Sequence, residues 1–125
     1  MRVVTVIPAF NEERTVESVV RGALEHGDVI LVDDGSTDRT AALGEEAGAR
    51  VISHPKNLGK GAALKTGIGA ALEGDYDVIV FMDADGQHDP SLIPELASAV
   101  NGGDFIIGSR FIRNNHDTMP LHRQV

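Results

Sequence analysis

The amino-acid sequence predicts an α/β fold with a mostly parallel central sheet. Apolar runs of four to six residues alternate along the chain with segments of helical period, which is typical of βαβ units. The length of 125 residues, with 42% hydrophobic residues, is sufficient for one buried core and too short for two. We therefore predict a single domain that covers residues 1–125.

Five apolar runs predict the strands of this sheet, near residues 2 to 7, 28 to 33, 49 to 53, 77 to 82 and 104 to 108. The fifth strand is expected to end where it runs into the segment GSRF. From about Arg113 the sequence has no clear period, so residues 113–125 are predicted to form a loop.

Four helices are predicted between and after these strands. In the first, apolar residues recur at helical spacing from Val16, and Gly27 is its expected C-terminal cap. The second is expected to start with Asp38 as N-cap and to run through TAALGEEAG. The third extends from about Gly59 to Glu73, and the fourth follows Asp89-Pro90, where proline suits the first helical turn.

Composition and charge exclude several classes of protein. A formal net charge of -8 argues against a broad contact with nucleic acid. The absence of cysteine excludes disulfides, thiolate zinc sites and cysteine nucleophiles. No apolar run approaches the length of a membrane span, and the first residues do not form a signal-peptide pattern. We therefore expect a cytoplasmic protein.

The first strand runs into PAFNEE. This segment has no glycine-rich turn, and neither GxGxxG nor GxxxxGK[ST] occurs in the chain, which argues against a dinucleotide fingerprint and a phosphate loop. Asn11, Glu12 and Glu13 suit a helix N-terminus with acids in its first turn. That structural role and a binding role both stay open at this point.

Two further strand ends carry groups that suit a nucleotide. Asp33 and Asp34 follow the second strand, where a carboxylate can accept hydrogen bonds from a nucleobase or from ribose hydroxyls. Lys60 lies between Gly59 and Gly61 at the start of the third helix, where backbone N–H groups and one cation suit a phosphate. Ordinary turn and helix-start roles are the alternatives.

The fourth strand ends in MDADGQHD. The D-x-D pair Asp83 and Asp85 can direct two carboxylates toward Mg²⁺ or Mn²⁺, with water and diphosphate oxygens as the remaining ligands. A solvated turn is the alternative for the pair. His88 could also ligate a metal, but the pattern favours a partly exposed loop histidine. After the fifth strand, Arg110 can pair with phosphate or neutralise the D-x-D carboxylates.

Together, IPAFNEE, VDDGSTDRT, NLGKGAALKTGI, MDADGQHDP and GSRF, in this order over residues 4 to 111, resemble the nucleotide-binding half of glycosyltransferase family 2. The resemblance is strongest to dolichyl-phosphate or polyprenyl-phosphate hexose synthases. It implies the GT-A fold, a Rossmann-like three-layer α/β/α sandwich. It also implies that 113–125 begin an acceptor-side segment whose remainder the sequence does not contain.

The resemblance also implies the roles of site residues. The nucleotide would contact Pro8, Ala9, Phe10, Asn11, Glu12, Asp34, Lys60, Asp83 and Ala84. Phe10 stands where many family members have tyrosine, so stacking is kept and a hydroxyl is lost. The metal and diphosphate would contact Asp83, Asp85 and Gln87, and the groups assigned to catalysis are Asp85, Arg110 and Arg123. Arg123 would reach the acceptor phosphate.

The activity implied by the resemblance is a metal-dependent, inverting transfer of a hexose. The donor would be a nucleotide-sugar of the GDP-mannose or UDP-glucose type, the cofactor Mg²⁺ or Mn²⁺, and the acceptor a polyprenyl or dolichyl phosphate. Peripheral association with the cytoplasmic face of a membrane and homo-oligomerisation are further expectations. The alternatives are a nucleotide-sugar-binding fragment without turnover and a sugar nucleotidyltransferase, although the latter has a basic glycine-rich loop where this chain has PAFNEE.

Overall fold

The computed structural model describes residues 2–86, 89–98, 104–107 and 110–113. Its strands are β1 (Val3–Ala9), β2 (Asp28–Asp33), β3 (Arg50–Ser53), β4 (Val78–Phe81), β5 (Asp104–Ile107) and β6 (Arg110–Arg113). Its helices are α1 (Val16–Leu24), α2 (Thr40–Ala47), α3 (Lys60–Leu72) and α4 (Ile93–Ser98), the last preceded by a short 3-10 helix, Pro90–Leu92. The predicted alternation of strands and helices is confirmed.

The strands form one sheet in the order β3-β2-β1-β4-β5-β6. All neighbouring pairs are parallel except β5 and β6, which are antiparallel. The chain moves outward from β1 to β3 on one side and then crosses to β4 on the other. In open α/β sheets such a reversal leaves a crevice beyond the carboxyl ends of the two central strands, where ligands bind.

The core has two layers because the central strands are buried on both faces. On one face, Ile7, Leu31 and Val80 pack with α1 and with Ile93 of α4. On the other face, alternate strand residues pack against α3, in a cluster formed by Val4, Val6, Ile30, Val32, Ala63, Ala70, Ala71, Ile79 and Phe81. The period of two along each strand thus directs side chains into both layers, and the predicted α/β/α sandwich is confirmed.

Three local predictions are corrected. The fifth strand does not simply end at GSRF, because Arg110–Arg113 form the antiparallel strand β6. α1 ends at Leu24 with Glu25 as its cap, so Gly27 is not that cap. Gly27 instead has a φ of 153°, and a Cβ there would lie 2.4 Å from the carbonyl oxygen of Val3.

The third correction concerns α2, which begins at Thr40 and not directly after Asp38. The Asp38 carboxylate still accepts a hydrogen bond from the N–H of Thr40 at 2.9 Å, so it satisfies one of the free donors at the helix start. Within residues 2–86, 89–98, 104–107 and 110–113, none of the helices combines the length and apolar character that crossing a membrane requires.

Candidate active site

A cavity of about 300 Å³ lies beyond the carboxyl ends of β1, β2 and β4. It is lined by Pro8, Ala9, Phe10, Glu12, Asp34, Asn57, Gly59, Lys60, Ala63, Asp83, Ala84 and Asp85. The segments after four strands, β1 to β4, together with the start of α3, therefore meet at one place. Their meeting follows from the topology, since parallel strands present their carboxyl ends at the same edge of the sheet.

The segment after β1 forms one wall of the cavity. Pro8 and Ala9 are buried at the end of the strand, whereas Phe10 is 44% exposed. Burial raises the pKa of the Glu12 carboxyl, and the negative charges of Asp85, Asp83 and Asp38 raise it further. A raised pKa from several neighbouring carboxylates means that this part of the cavity has a negative potential, which favours a bound cation.

Asn11 has a different environment from its neighbours. Its backbone adopts a left-handed φ of 53°, and its side-chain Oδ1 accepts a hydrogen bond from the N–H of Thr37 at 2.8 Å. Its own N–H donates to Ser36 Oγ at 2.8 Å. Asn11 therefore joins the loops after β1 and β2, and it is not among the described residues that line the cavity.

Asp34 is the buried carboxylate of the site. Its Oδ1 accepts hydrogen bonds from the N–H of Leu58 at 2.9 Å and from His54 Nδ1 at 2.8 Å. Its Oδ2 accepts one from the N–H of Gly59 at 2.9 Å. Burial acts to raise the pKa of Asp34, but these hydrogen bonds lower it by more, so that its pKa lies below the ordinary value. Asp34 is therefore held as a carboxylate.

The contact between Gly59 and Asp34 corrects one prediction. The N–H of Gly59, expected to be available for a phosphate, donates to the carboxylate of Asp34. Gly59 has a φ of 103°, a conformation that a residue with a side chain rarely adopts. Its role in the cavity wall is therefore to let the chain pass close to Asp34 on its way into α3.

Lys60 begins α3 and reaches across the cavity. Its Nζ lies 2.7 Å from Oδ1 of Asp83, and the two side chains are 62% and 33% exposed. Lys60 is the cation among the described residues that line the cavity. An ion pair this exposed contributes little to stability. The position of Lys60 in the cavity therefore suits the binding of an anion better than a structural role.

The D-x-D turn is held by the start of α1. Ala84 is buried, and its carbonyl oxygen accepts a hydrogen bond from the hydroxyl of Thr15. Gly86, with a φ of 83°, completes the turn. The backbone at Ala84 is thus fixed between Asp83 and Asp85, so that both carboxylates reach the cavity.

This donor set fits a divalent cation of the Mg²⁺ or Mn²⁺ type. Among the described residues, no group of three or more His, Asp or Glu side chains is arranged to hold a metal ion, so these residues alone would leave part of the coordination to other ligands. Asp83 and Asp85 offer oxygen atoms at the edge of an open cavity. Mg²⁺ is commonly held by one or two carboxylates, with water and substrate phosphates as the other ligands.

The side-chain positions of several predicted site residues are not described by the structure. Gln87, His88 and Arg123 are outside the described residues. Arg110 is described only as the first residue of β6, so a contact of its side chain with phosphate or with the D-x-D pair stays a prediction. Three further groups were not predicted from the sequence. Asn57 and Ala63 line the cavity without a recognisable chemical signal, and His54 is recognised only by its contact with Asp34.

Comparison with known proteins gives the family. Residues 4–124 match the model of the family described as Glycosyl transferase family 2, and the chain therefore belongs to this family. It is 39% identical over 118 residues to undecaprenyl-phosphate mannosyltransferase of Micrococcus luteus, covering 88% of this chain and 49% of that protein. It is 35% identical over 136 residues to dolichol-phosphate mannosyltransferase of Pyrococcus furiosus, covering 100% and 38%.

A solved structure is similar over most of the fold. Glucosyl-3-phosphoglycerate synthase from Mycobacterium tuberculosis, crystallised with Mn²⁺, UDP-glucose and phosphoglyceric acid, superposes with a TM-score of 0.66 and 34% identity. The match covers 78% of this chain and 38% of that one. The predicted GT-A fold is confirmed. The chain spans about half the length, or less, of the curated relatives it matches.

Proposed function

We propose that the protein is a metal-dependent glycosyltransferase whose described residues form the site for a nucleotide-sugar donor. The observation that carries this proposal is the convergence of Asp83, Asp85 and Lys60 on one cavity at the point where the strand order reverses. Two carboxylates and one cation at such a place suit a diphosphate that binds together with a divalent metal. The Mn²⁺ and UDP-glucose in the similar crystal structure support the same assignment.

The donor would be held by separate parts of the cavity. Phe10 is exposed enough to stack on a nucleobase, and the wall formed by Pro8 and Ala9 gives the base an apolar surface. Asp83 and Asp85 would hold the metal, with Gln87 as a further ligand that the family resemblance implies. Lys60 would contact the diphosphate. The open side of the cavity leaves room for the sugar.

The chemistry follows from where charge develops. When the bond between the anomeric carbon and the diphosphate breaks, negative charge grows on the leaving oxygen, and Lys60 can stabilise it from the start of α3. A metal bound to Asp83 and Asp85 would supply further positive charge to the diphosphate. Arg110 and Arg123 are proposed to contact the donor diphosphate and the acceptor. Attack from the face opposite the leaving group inverts the anomeric centre.

A polyprenyl phosphate is the proposed acceptor, and the names of the mannosyltransferases from Micrococcus luteus and Pyrococcus furiosus support this choice. A phosphate monoester has a second pKa of about 6, so it is largely ionised at neutral pH and needs no protein base. A lipid acceptor would bring the reaction to a membrane surface.

Peripheral association of the protein with the cytoplasmic face of a membrane, and association of the protein with itself, belong to the same proposal. The alternative of a nucleotide-sugar-binding fragment without turnover is not favoured by membership of the family.

Calorimetric titration of GDP, UDP, GDP-mannose and UDP-glucose, with Mn²⁺ and then with EDTA, tests the donor site. We expect one nucleotide to bind in the presence of Mn²⁺ and to lose affinity in EDTA. Asp85→Ala should abolish the Mn²⁺-dependent part of the affinity. Asp75→Ala, which removes an exposed acid far from the cavity, is the matched control and should leave it unchanged.

Two results would contradict the proposal. Failure of all four nucleotides to bind to the wild-type protein would contradict the proposal that the cavity is a donor site. Unchanged affinity of Asp85→Ala with Mn²⁺ present would leave nucleotide binding intact and refute the metal role of the D-x-D pair. Transfer of labelled mannose or glucose to a polyprenyl phosphate in detergent would then test the acceptor.

A further inference from the structure

A histidine whose side chain is nearly buried lies beneath the loop that leads into α3. The side chain of His54, the first residue after β3, is 9% exposed, and that of its partner Asp34 is 5% exposed. The N–H of His54 also donates to the carbonyl oxygen of Asp33 at 2.9 Å. His54 is therefore fixed at the carboxyl edge of the sheet by both its backbone and its ring, although it does not line the cavity itself.

Both ring nitrogens of His54 have defined partners. Nδ1 lies 2.8 Å from Oδ1 of Asp34, and Nε2 lies 2.8 Å from the hydroxyl of Thr66 in α3. Because the carboxylate of Asp34 can only accept, Nδ1 carries the proton in this contact. The hydroxyl of Thr66 can either donate or accept, so it accommodates Nε2 in either form of the ring. The ring thus bridges β2, β3 and α3.

The partner carboxylate controls the loop that carries Lys60. Asp34 accepts the N–H groups of Leu58 and Gly59, the two residues immediately before Lys60. With the bond from His54, Oδ1 has two donors and Oδ2 has one. A carboxylate oxygen commonly accepts about two hydrogen bonds. Oδ1 is therefore fully occupied, and the orientation of the carboxylate is set by His54 from below and by the loop from above.

Loss of the His54 ring would change this arrangement without touching the cavity wall. Asp34 would keep the two backbone donors, but its carboxylate could rotate, and Leu58 and Gly59 would follow it. Lys60 would then lose its fixed position 2.7 Å from Asp83. Small displacements of a positioned charge weaken its contribution to a site strongly.

We infer that His54 is a positioning residue for nucleotide binding, which orients Asp34 and thereby holds the loop that places Lys60 at the diphosphate. This inference rests on the proposed function. It goes beyond the D-x-D pair and the glycine-flanked lysine, because it assigns a role to a side chain that touches neither the cavity nor the ligand.

A double-mutant cycle tests the inference, with UDP and GDP each titrated in the presence of Mn²⁺. We expect His54→Ala to lower the affinity for whichever nucleotide the wild-type protein binds by about tenfold. This loss is in keeping with the removal of one hydrogen bond to a charged group. In a Lys60→Ala background, the same change should cost less than about twofold, because the group it positions is gone. His26→Ala, at the opposite end of the strands, is the matched histidine control and should leave affinity unchanged.

Conservative variants separate positioning from folding. Asparagine keeps an N–H donor at the place of Nδ1, and glutamine keeps one at the place of Nε2. We expect His54→Asn to recover affinity to within about threefold of wild type and His54→Gln to stay weak, with cooperative urea unfolding for both. The comparison of His54→Asn with His54→Gln tests the positioning role even where His54→Ala does not fold.

The outcomes are distinct. Equal losses from His54→Ala with and without Lys60 would show independent contributions and overturn the inference while leaving the donor site intact. Equal affinities for His54→Asn and His54→Gln would also overturn it. Failure of wild-type protein to bind either UDP or GDP would overturn the proposed function, and with it the inference.

Discussion

Asp34 makes the folded state sensitive to acid. Burial opposes its ionisation, but hydrogen bonds from His54, Leu58 and Gly59 outweigh burial, and its pKa lies below the ordinary value of 3.8. A carboxyl whose pKa is lower in the folded state stabilises that state above its unfolded pKa. This stabilisation is lost as the pH falls through the folded pKa.

We therefore expect the free energy of unfolding of the wild-type protein to fall more steeply below about pH 4 than that of Asp34→Asn. The pKa values of Asp38 and Asp89 are also lowered, but these residues are present in both proteins and cancel in the difference. Urea unfolding followed from about pH 6 to about pH 2 measures both slopes. Parallel curves for the two proteins would contradict the assignment.

Single residues show what a sequence can and cannot reveal about a site. Asp34, Lys60 and Asp83 could be proposed because each is a charged group directly after an apolar run or at a helix start, and the structure brings all three to one cavity. The nucleotide and metal that these side chains are proposed to bind stay predictions. His54 could not be proposed, since its role depends on side-chain contacts with Asp34 and Thr66, which lie 20 and 12 residues away in the chain.

Among the helices, α3 contacts the sheet closely at Gly67. Gly67 of α3 has no room for a side chain: a Cβ there would lie 2.3 Å from Cγ1 of Val6 and 3.3 Å from Cγ2 of Val32. Both valines are fully buried, and a β-branched side chain cannot easily turn aside. This close contact sets the height of α3 above the strands and hence the position of its first residue, Lys60.

We expect Gly67→Ala to lower the free energy of unfolding by about 1–2 kcal/mol, because overpacking costs about 1–3 kcal/mol and higher helix propensity returns up to about 1 kcal/mol. Gly69 is the matched control. A Cβ at Gly69 would meet nothing within 4 Å, so Gly69→Ala should raise stability by up to about 1 kcal/mol. Urea unfolding measures both, and a stabilised Gly67→Ala would show that the helix can move away without cost.

Strand and helix positions were largely predictable from period and turn residues, with one omission. β6 has only four residues and follows β5 after the pair Gly108-Ser109. Two such residues between short apolar runs are a hairpin signal, but the arginines of RFIR obscure its apolar character. The helix boundaries that were wrong, near Gly27 and Asp38, depend on which backbone groups meet in space, and a local pattern does not contain that information.

For the fold as a whole, the sequence predicted a parallel sheet but not the order of its strands. Alternation of strands and helices is a local property, whereas the neighbours of β1 are β2 and the distant β4. The cavity depends on this order, because its acidic residues follow three neighbouring strands. Glu12 and Asp34 follow β1 and β2, whereas Asp83 and Asp85 follow β4, the neighbour of β1 on the other edge. The cavity could therefore be expected only once the family resemblance supplied the topology.

The position of β1 between β2 and β4 also implies an order of events during folding. The loops after β1 and β2 meet through Asn11 and Ser36, which are 25 residues apart in the chain. The edge toward β4 joins Arg2 to Asp77, which are 75 residues apart. Closing the longer loop costs more chain entropy, and contacts distant in sequence slow folding.

We expect the amides of β2 to become protected before those of β4 in pulse-labelled hydrogen exchange during refolding, and simultaneous protection would contradict this order. A chain synthesised from its amino terminus can pair β1 with β2 well before β4 has been made. On this order the two halves of the cavity would form at different times, and the proposed nucleotide site would be complete only after β4 has joined the sheet.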